Sequence, residues 1–395
     1  MRLGFSQLGY WAVFGCVLCL LSCPDTTLPL IEGGTGQGTG NTGGDYCTLD
    51  DLAPVDPNTL VAHFIDVGQG DGMWLQLPTG DPGNPLDLIV DTGDGPSYPT
   101  DDTPDAGTIM GDYLENHGMP AGTIIEWLMI THGDSDHFGG TSTLMSRFPI
   151  RGFMGSGYTA TTNSWPEVRL EIQSKVEAVG GLFASPMIPS VLVSSFGARV
   201  EELSNTLVEV QVFWGYDSLP STVDDKSNNS GLVIKVTSNG KSLLLTGDID
   251  EDVEAGLVKM NNAGTIDLTS HVLKVPHHGS DSSSSEIFLN AVFDGVPEGE
   301  RFAVIQSGRR RFGPNSVTLP REEIVDRLIA KVGEGHLLST VHGDEEKEND
   351  ESGGDDHVVL TIGGGGIRLC YNPGGLYVRG DSEDKTPEDD LDDNF

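Results

Sequence analysis

The apolar run Trp127-Leu128-Met129-Ile130 ends in THGDSDHFGG (131–140), which places two histidines and two aspartates within six positions. A short apolar run of this kind reads as a buried strand. The fold must therefore deliver a strand end, not a helix face, to whatever these four side chains hold. Similar endings recur: Asp91 closes LDLIVDTG (86–93), Asp248 closes GLVIKVTSNGKSLLLTGD (231–248), and His277-His278 close SHVLKVPHHG (270–279). Loops at strand ends on one rim are where a rigid scaffold presents a site. Imidazoles and carboxylates together suit zinc, manganese or iron. The spacing of His132, Asp134, Asp136 and His137 is too tight for all four to surround one ion. It suits two ions about 3.5–4 Å apart that share a water. Taken singly, each feature has a plainer reading: a solvated His-rich loop, Asp248 as a helix N-cap, His-His-Gly-Ser as a weak motif. Their recurrence at successive strand ends is what argues for a site.

LVAHFIDVG (60–68), GMWLQLP (72–78), LDLIVDTG and IEWLMITH (125–132) read as strands. A second set follows: NTLVEVQVFWG (205–215), a hairpin across Asn239-Gly240, SHVLKVPHHG and RFAVIQSG (301–308). TIMGDYLENHG (108–118), WPEVRLEIQSKVEAVGG (165–181) and PREEIVDRLIAKVG (320–333) carry apolar residues at helical spacing, with Gly after each. No Gly/Pro-rich break separates the two strand sets. The expectation is one α+β domain over 59–380, a pair of sheets with helices outside.

Acidic residues outnumber basic ones 60 to 22 in this 395-residue chain, a formal charge of −38. Such a surface repels nucleic acid and anionic lipid unless positive charge is supplied locally. The runs 342–356 and 381–395 read as a disordered acidic insertion and tail. Arg309-Arg310-Arg311 form the one run of three basic residues, and read either as a phosphodiester clamp or as a solvated loop. Residues 1–23 read as an export signal whose end, Leu20-Leu21-Ser22-Cys23, resembles the lipobox of bacterial lipoproteins. That resemblance implies an exported chain, periplasmic or at the cell surface, held to the envelope by lipid on Cys23. An ordinary cleaved signal and an uncleaved anchor are the alternatives. Residues 24–58 read as a Gly/Thr-rich flexible tether. In an oxidising compartment the remaining Cys47 and Cys370 read as a disulfide, with two unpaired thiols the alternative. No protein partner is implied.

FIDVGQGDGMWLQLP, LIVDTG, LMITHGDSDHFGG, LLLTGD and LKVPHHGSDSSSS occur here in the order found in metallo-β-lactamase-fold hydrolases. They resemble in particular the C-terminal metallo-β-lactamase-like domain of the DNA-uptake protein ComEC, over residues 60–370. The resemblance implies an αββα sandwich with a two-metal site at its edge. It makes His132 and Asp134 ligands of one ion, Asp136 and His137 of the other, and Asp248 the bridging carboxylate. One of His277 and His278 completes the second site, with His278 favoured as ligand and His277 as general acid or outer donor. Asp66, Asp71 and Asp91 would orient ligands from behind by accepting imidazole N–H bonds.

Many zinc members carry histidine where Asp134 stands, so this site is richer in oxygen and manganese competes with zinc. A third histidine for the first ion is absent, and DDKSNNSGLV (224–233) offers Asp225, Asn228 or Asn229 in its place. ComEC-like domains carry a histidine after an aromatic-Gly pair where this chain reads GRRRFGPNS (308–316). The expectation is a binuclear zinc or manganese hydrolase acting on a phosphodiester through Asp136 and His277, with nucleic acid or a nucleotide as substrate. The alternatives are a metallohydrolase of a lactone, amide or phosphocholine ester, and an inert binding scaffold.

Overall fold

Short, apolar, β-branched segments dominate the chain between residues 60 and 371, and in the computed structural model they pair into two sheets. The structure describes residues 56–81, 83–95, 104–158, 164–184, 196–216, 226–308, 319–340 and 357–371, all within the unit Gly44–Phe395. The export signal, Cys23, Cys47, Asp225, Arg309 to Arg311, both acidic runs and the side chain of Cys370 lie outside the described residues.

The first six strands are β1 (Leu60–Phe64), β2 (Gly72–Leu77), β3 (Leu86–Thr92), β4 (Ile125–Ile130), β5 (Ile150–Gly155) and β6 (Leu182–Ala184). They are followed by β7 (Val208–Trp214), β8 (Val233–Ser238), β9 (Lys241–Leu245), β10 (Val272–Lys274), β11 (Phe302–Ile305) and β12 (Leu337–Ser339). Two more, β13 (Val358–Gly363) and β14 (Gly366–Tyr371), close the described chain. One sheet runs β14-β13-β1-β2-β3-β4-β5-β6 and the other β12-β11-β10-β9-β8-β7. Both are mixed in the same way. Strands up to β3 pair antiparallel and β3 to β6 parallel; β7 to β9 pair antiparallel and β9 to β12 parallel. The hairpin between β8 and β9 turns at Asn239 and Gly240, with φ of 51° and 73°, as a two-residue turn matched to strand twist requires.

The helices are α1 (Ala106–Asn116), α2 (Ser135–Phe138), α3 (Thr141–Arg147), α4 (Trp165–Ala178), α5 (Lys226–Asn229), α6 (Glu251–Asn262), α7 (Glu286–Val292) and α8 (Glu322–Val332). Successive residues of the strands face opposite layers. Leu88 and Val90 of β3, with Leu243 and Leu245 of β9, enter a core between the sheets. Ile89 instead joins a core under α1, α3 and α4, and Leu244 one under α6, α7 and α8. The order is therefore helix, sheet, sheet, helix, the αββα metallo-β-lactamase sandwich. Burial on both faces explains why the strands read as continuous apolar runs, and each fully buried Leu, Ile or Phe contributes about 1.5–3 kcal/mol. Asp250, not Asp248, caps α6, accepting the Asp252 N–H at 2.9 Å. That leaves the Asp248 carboxylate available elsewhere.

Candidate metal centre

The parallel strands of both sheets end on the same rim. β4 runs into a bend that holds His132 and then the single-turn α2, which carries Asp136 and His137 and has Asp134 at its N-terminal cap position. β9 ends just before Thr246-Gly247-Asp248, and β10 runs into a 3₁₀ turn at Pro276–Gly279. In that turn His277 and His278 adopt φ of 49° and 53°, and at the end of β3 Asp91 has φ of 57°. Such a conformation costs a non-glycine residue on the order of 1–3 kcal/mol and clusters where a site needs a particular direction.

Asp136, His137, Asp248 and His278 each offer a donor atom within 4.8 Å of the others. Oδ2 of Asp248 lies 3.2 Å from His137 Nε2 and 3.1 Å from His278 Nε2, and Asp136 Oδ2 lies 3.4 Å from His278 Nε2. His132 joins from the side. Its ring centroid is 4.0 Å from that of His137, and its Nε2 is 3.6 Å from Asp134 Oδ2. The three histidines are buried, Asp136 is 18% exposed and Asp134 36%, so the site opens toward the two aspartates.

The outer nitrogens of two imidazoles are fixed from behind. His137 Nδ1 donates to Asp91 Oδ2 at 2.8 Å, and that carboxylate is itself held by the Thr131 N–H and hydroxyl, each at 2.7 Å. His278 Nδ1 donates to the Gln306 carbonyl at 2.7 Å. Asp71 stands behind both rings, with Oδ1 at 3.3 Å from His278 Nδ1 and Oδ2 at 3.8 Å from His137 Nδ1. With Nδ1 committed, each ring directs Nε2 at the cluster, as metal-binding histidines do. Asp66 lies further out: its carboxylate accepts the Gly68 N–H at 3.0 Å, while its own N–H donates to His357 Nδ1 at 3.0 Å. Asn229 bonds Asp250 through both ends of its amide, at 2.5 and 3.2 Å. The segment around α5 meets the site through Ser227, whose hydroxyl donates to Asp134 Oδ1 at 2.7 Å. His277 is half-buried at the rim, its Nδ1 3.0 Å from the Ser282 hydroxyl.

Two residues that motif spacing did not single out belong here. Lys274, completely buried in β10, pairs with Asp71 and stands 3.7 Å from Asp248 Oδ1. Gln69 donates to Asp136 Oδ2 at 3.5 Å and accepts the Gly308 N–H at 3.2 Å. The signal for Lys274 is an ammonium inside the apolar strand Val-Leu-Lys-Val, where burial without an anionic partner is prohibitive. Gln69 carries no comparable signal.

Charge accounts for the titration of the cluster. Burial alone would lower His137, yet Asp248 and Asp91 raise it well above the usual imidazole range. His278 is likewise raised against burial by Asp248, Asp136 and Asp71. Burial pushes the Asp248 carboxyl up, but the two imidazoles hold it well below the ordinary range, and Asp136 is depressed against burial by His278 and His137. Asp134 is lowered against burial by His132 and the Ser227 hydroxyl. Protons thus sit where cations are wanted, and a divalent ion would displace them.

The residues fit such an ion. Among the described residues, the buried atoms that make no hydrogen bond include Nε2 of His132, His137 and His278 and Oδ1 of Asp248. Unsatisfied buried polar atoms are costly, and three converging imidazole nitrogens are rescued by one class of ligand. The Asp71, Asp91 and His137 group is also compact. It faces the Nδ1 side of His137 and supports the first group, since Lys274 already neutralises Asp71.

No family model matches the chain. It is 26% identical to ComE operon protein 3 of Bacillus subtilis over 63% of this chain, and 27% identical to Recombination protein 2 of Haemophilus influenzae over 68%. It is 34% identical to competence protein ComA of Neisseria gonorrhoeae over 37% of its length. These are ComEC-family relatives, of which the chain spans 29%, 26% and 17% respectively. Among solved structures, the metallo-β-lactamase fold protein YhfI of Bacillus subtilis overlaps with 71% of this chain and 96% of its own, at 10% identity and a TM-score of 0.40. Zn(2+)-bound PqqB of Methylobacterium extorquens overlaps with 71% of this chain and 97% of its own, at 11% identity and a TM-score of 0.35.

Proposed function

We propose that this chain, a metallo-β-lactamase-fold protein similar to ComEC-family relatives, is a binuclear metal-dependent hydrolase of phosphodiesters, with nucleic acid or a nucleotide as substrate. The observation that carries the reading is the convergence of Asp136, His137, Asp248 and His278, within 4.8 Å, from strand ends of two sheets. His132 and Asp134 would hold one ion, Asp136, His137 and His278 the other, and Asp248 would lie between them. When bound, two zinc or manganese ions supply Lewis acidity and a water that ionises near neutral pH.

The chain's own residues supply the rest. Asp91, Thr131 and Gln306 hold the imidazoles so that Nε2 faces inward. Asp136, one of the two partly exposed ligands, orients the attacking water toward the opening. His277, at the rim against Ser282, gives a proton to the leaving oxygen. Arg309, Arg310 and Arg311 clamp the phosphate. In support, Gly308, which immediately precedes them, bonds the same Gln69 that reaches Asp136. The chain is further read as exported, anchored to the envelope by lipid on Cys23 and stapled by Cys47–Cys370; among the described residues no helix is long and apolar enough to cross a membrane.

The test is hydrolysis of bis-p-nitrophenyl phosphate and single-stranded DNA by protein of measured manganese or zinc content. Activity on either that is lost in Asp136→Ala supports the proposal. Metal-loaded protein inert on both but active on a lactone, amide or phosphocholine ester would favour the second reading, which the charge of −38 supports because it repels polyanions. Less than one ion per chain would leave a binding scaffold.

A further inference from the structure

We propose that Lys274 is a positioning residue of the metal centre: its ammonium holds one oxygen of Asp248, so that the carboxylate presents the other, Oδ2, to the ions. The inference rests on the metallohydrolase reading and extends it to a residue outside the ligand set.

Lys274 lies in β10 between Leu273 and Val275, and none of the three is exposed to solvent. A lysine is almost never buried so completely without a partner, because stripping an ammonium of water costs several kcal/mol. Its partner is Asp71, also fully buried, in the loop between β1 and β2. A structural ion pair would end there. This ammonium has a second neighbour, Asp248 Oδ1, at 3.7 Å.

The division of labour on Asp248 is sharp. Its Oδ2 meets both imidazole nitrogens, at 3.2 and 3.1 Å, while Oδ1 faces Lys274 and makes no hydrogen bond. A carboxylate free to rotate would offer either oxygen, or both, to an ion. With a cation on one side, rotation would carry Oδ2 toward the ammonium and Oδ1 toward the imidazoles, exchanging equivalent atoms. Tilting to chelate with both oxygens would instead break the contact with Lys274. The lysine therefore opposes that tilt and leaves Oδ2 as the oxygen Asp248 would present to the ions. The same ammonium fixes Asp71, which stands behind His278 and His137.

Charge agrees. Asp71, Asp91, Asp134, Asp136 and Asp248 bring five negative charges, and two divalent ions bring four positive ones. Lys274 supplies the fifth inside the buried shell, where an uncompensated charge is expensive. Lys274 also repels the ions, so the two roles differ in sign. If it only adds charge, removing it should tighten metal binding. If it positions Asp248, removing it should weaken binding.

The experiment compares manganese binding, followed by electron paramagnetic resonance, in wild type, Lys274→Met, Asp71→Asn and the double variant Asp71→Asn/Lys274→Met. The double variant has no orphaned buried charge of this pair and keeps a measurement available if Lys274→Met alone does not fold. The expected result is manganese affinity about 10–100-fold weaker in the double variant than in Asp71→Asn, with a changed exchange-coupled signal. Equal or tighter binding in the double variant would overturn the proposal. So would recovery of wild-type affinity and spectrum in the double variant, since Lys274 would then only neutralise Asp71. Wild-type protein that takes up neither manganese nor zinc would remove the metal-centre reading itself, and this inference with it.

Discussion

Gly70 offers a direct test of how the ligand loop is held. It has φ of +112°, and a Cβ built there would lie 1.9 Å from the Asp136 carbonyl oxygen and 2.7 Å from its carbon. The Asp71 N–H donates to the same carbonyl at 3.0 Å, so the β1–β2 loop and α2 lie backbone against backbone. Since contacts under 3.0 Å are essentially never found for a real Cβ, Gly70→Ala must separate the two chains by about 1 Å. Metal ligands tolerate about 0.2 Å. A displacement of about 1 Å next to the chemistry should lower turnover by about 10²-fold and reduce metal content. The disfavoured backbone angle adds a stability cost on the order of 1–3 kcal/mol. Gly118→Ala separates the two effects, because Gly118 has φ of +95° with nothing within 4 Å of its virtual Cβ. It should melt earlier yet keep metal and activity. The assay is ions per chain, kcat/KM on bis-p-nitrophenyl phosphate and thermal melting for both variants. Wild-type metal content and activity in Gly70→Ala would refute the argument, and so would equal losses in Gly118→Ala.

Acid stability should respond to a pair at the other end of the first sheet. His63, buried against Trp74 and Tyr113, has its pKa lowered by burial from 6.5 to about 3, so it contributes stability above pH 6.5 that is lost as pH falls. Asp87, raised by burial from 3.8 to about 6, contributes stability at low pH that is lost as pH rises, so the two offset each other between about pH 4 and 6. Asp87→Asn should leave the His63 term exposed, giving unfolding free energies that fall by about 1.4 kcal/mol more per pH unit than wild type on acidification through that window; parallel profiles would reject it. Chelating the metals from loaded protein should remove about 2.7 kcal/mol for each ion whose free concentration had stood at 100 times its dissociation constant, read as a lower melting temperature. An unchanged melt after verified metal loss would contradict the geometry.

The strand ends that meet at the candidate site were legible because each combines a local apolar run with a polar stop. Asp91, Asp248 and His278 announce themselves within eight residues of sequence. The hairpin at Asn239-Gly240 and the helices at α1, α4 and α8 follow from equally local signals. β5 escaped because IRGFMG is interrupted by glycine, and β6 because LFA is only three residues long. β13 and β14 follow the acidic run; β13 joins the sheet by pairing with β1, at the far end of the chain, and β14 by pairing with β13. Such pairing leaves no periodic trace. Asn229 shows a contact that sequence does not announce: its amide bonds Asp250, the cap residue of α6. Lys274 carries a signal, an ammonium in an apolar strand, but its partner Asp71 lies in the β1–β2 loop and no spacing rule links the two.

That partnership shows what the centre does for the fold. His132 to His137 hang from the first sheet, whereas Asp248 and His278 hang from the second. Lys274 reaches from β10 to Asp71 in the β1–β2 loop, and Gln306, just past β11, donates to the carbonyls of Ile65 and Gly72 at 3.1 and 2.9 Å. Below this rim the sheets meet through apolar side chains such as Phe64, Met129, Ile234 and Val304, which give no direction of their own, and hydrogen bonds return at the far edge, where Asn239 of the β8–β9 hairpin donates to the carbonyls of Asn58 and Ile362 at 2.9 and 3.3 Å. The polar contacts at the rim and at the far edge together fix the register, and those at the rim do so beside the candidate site. Candidate ligands drawn from both sheets keep their mutual distances only while that register holds, and the strained backbone at Asp91, His277 and His278 lies where it sets the direction of side chains at the candidate site. An ion bound by both sets would close the rim across the two sheets, and its loss should first be felt as slippage between them, not as unfolding of either.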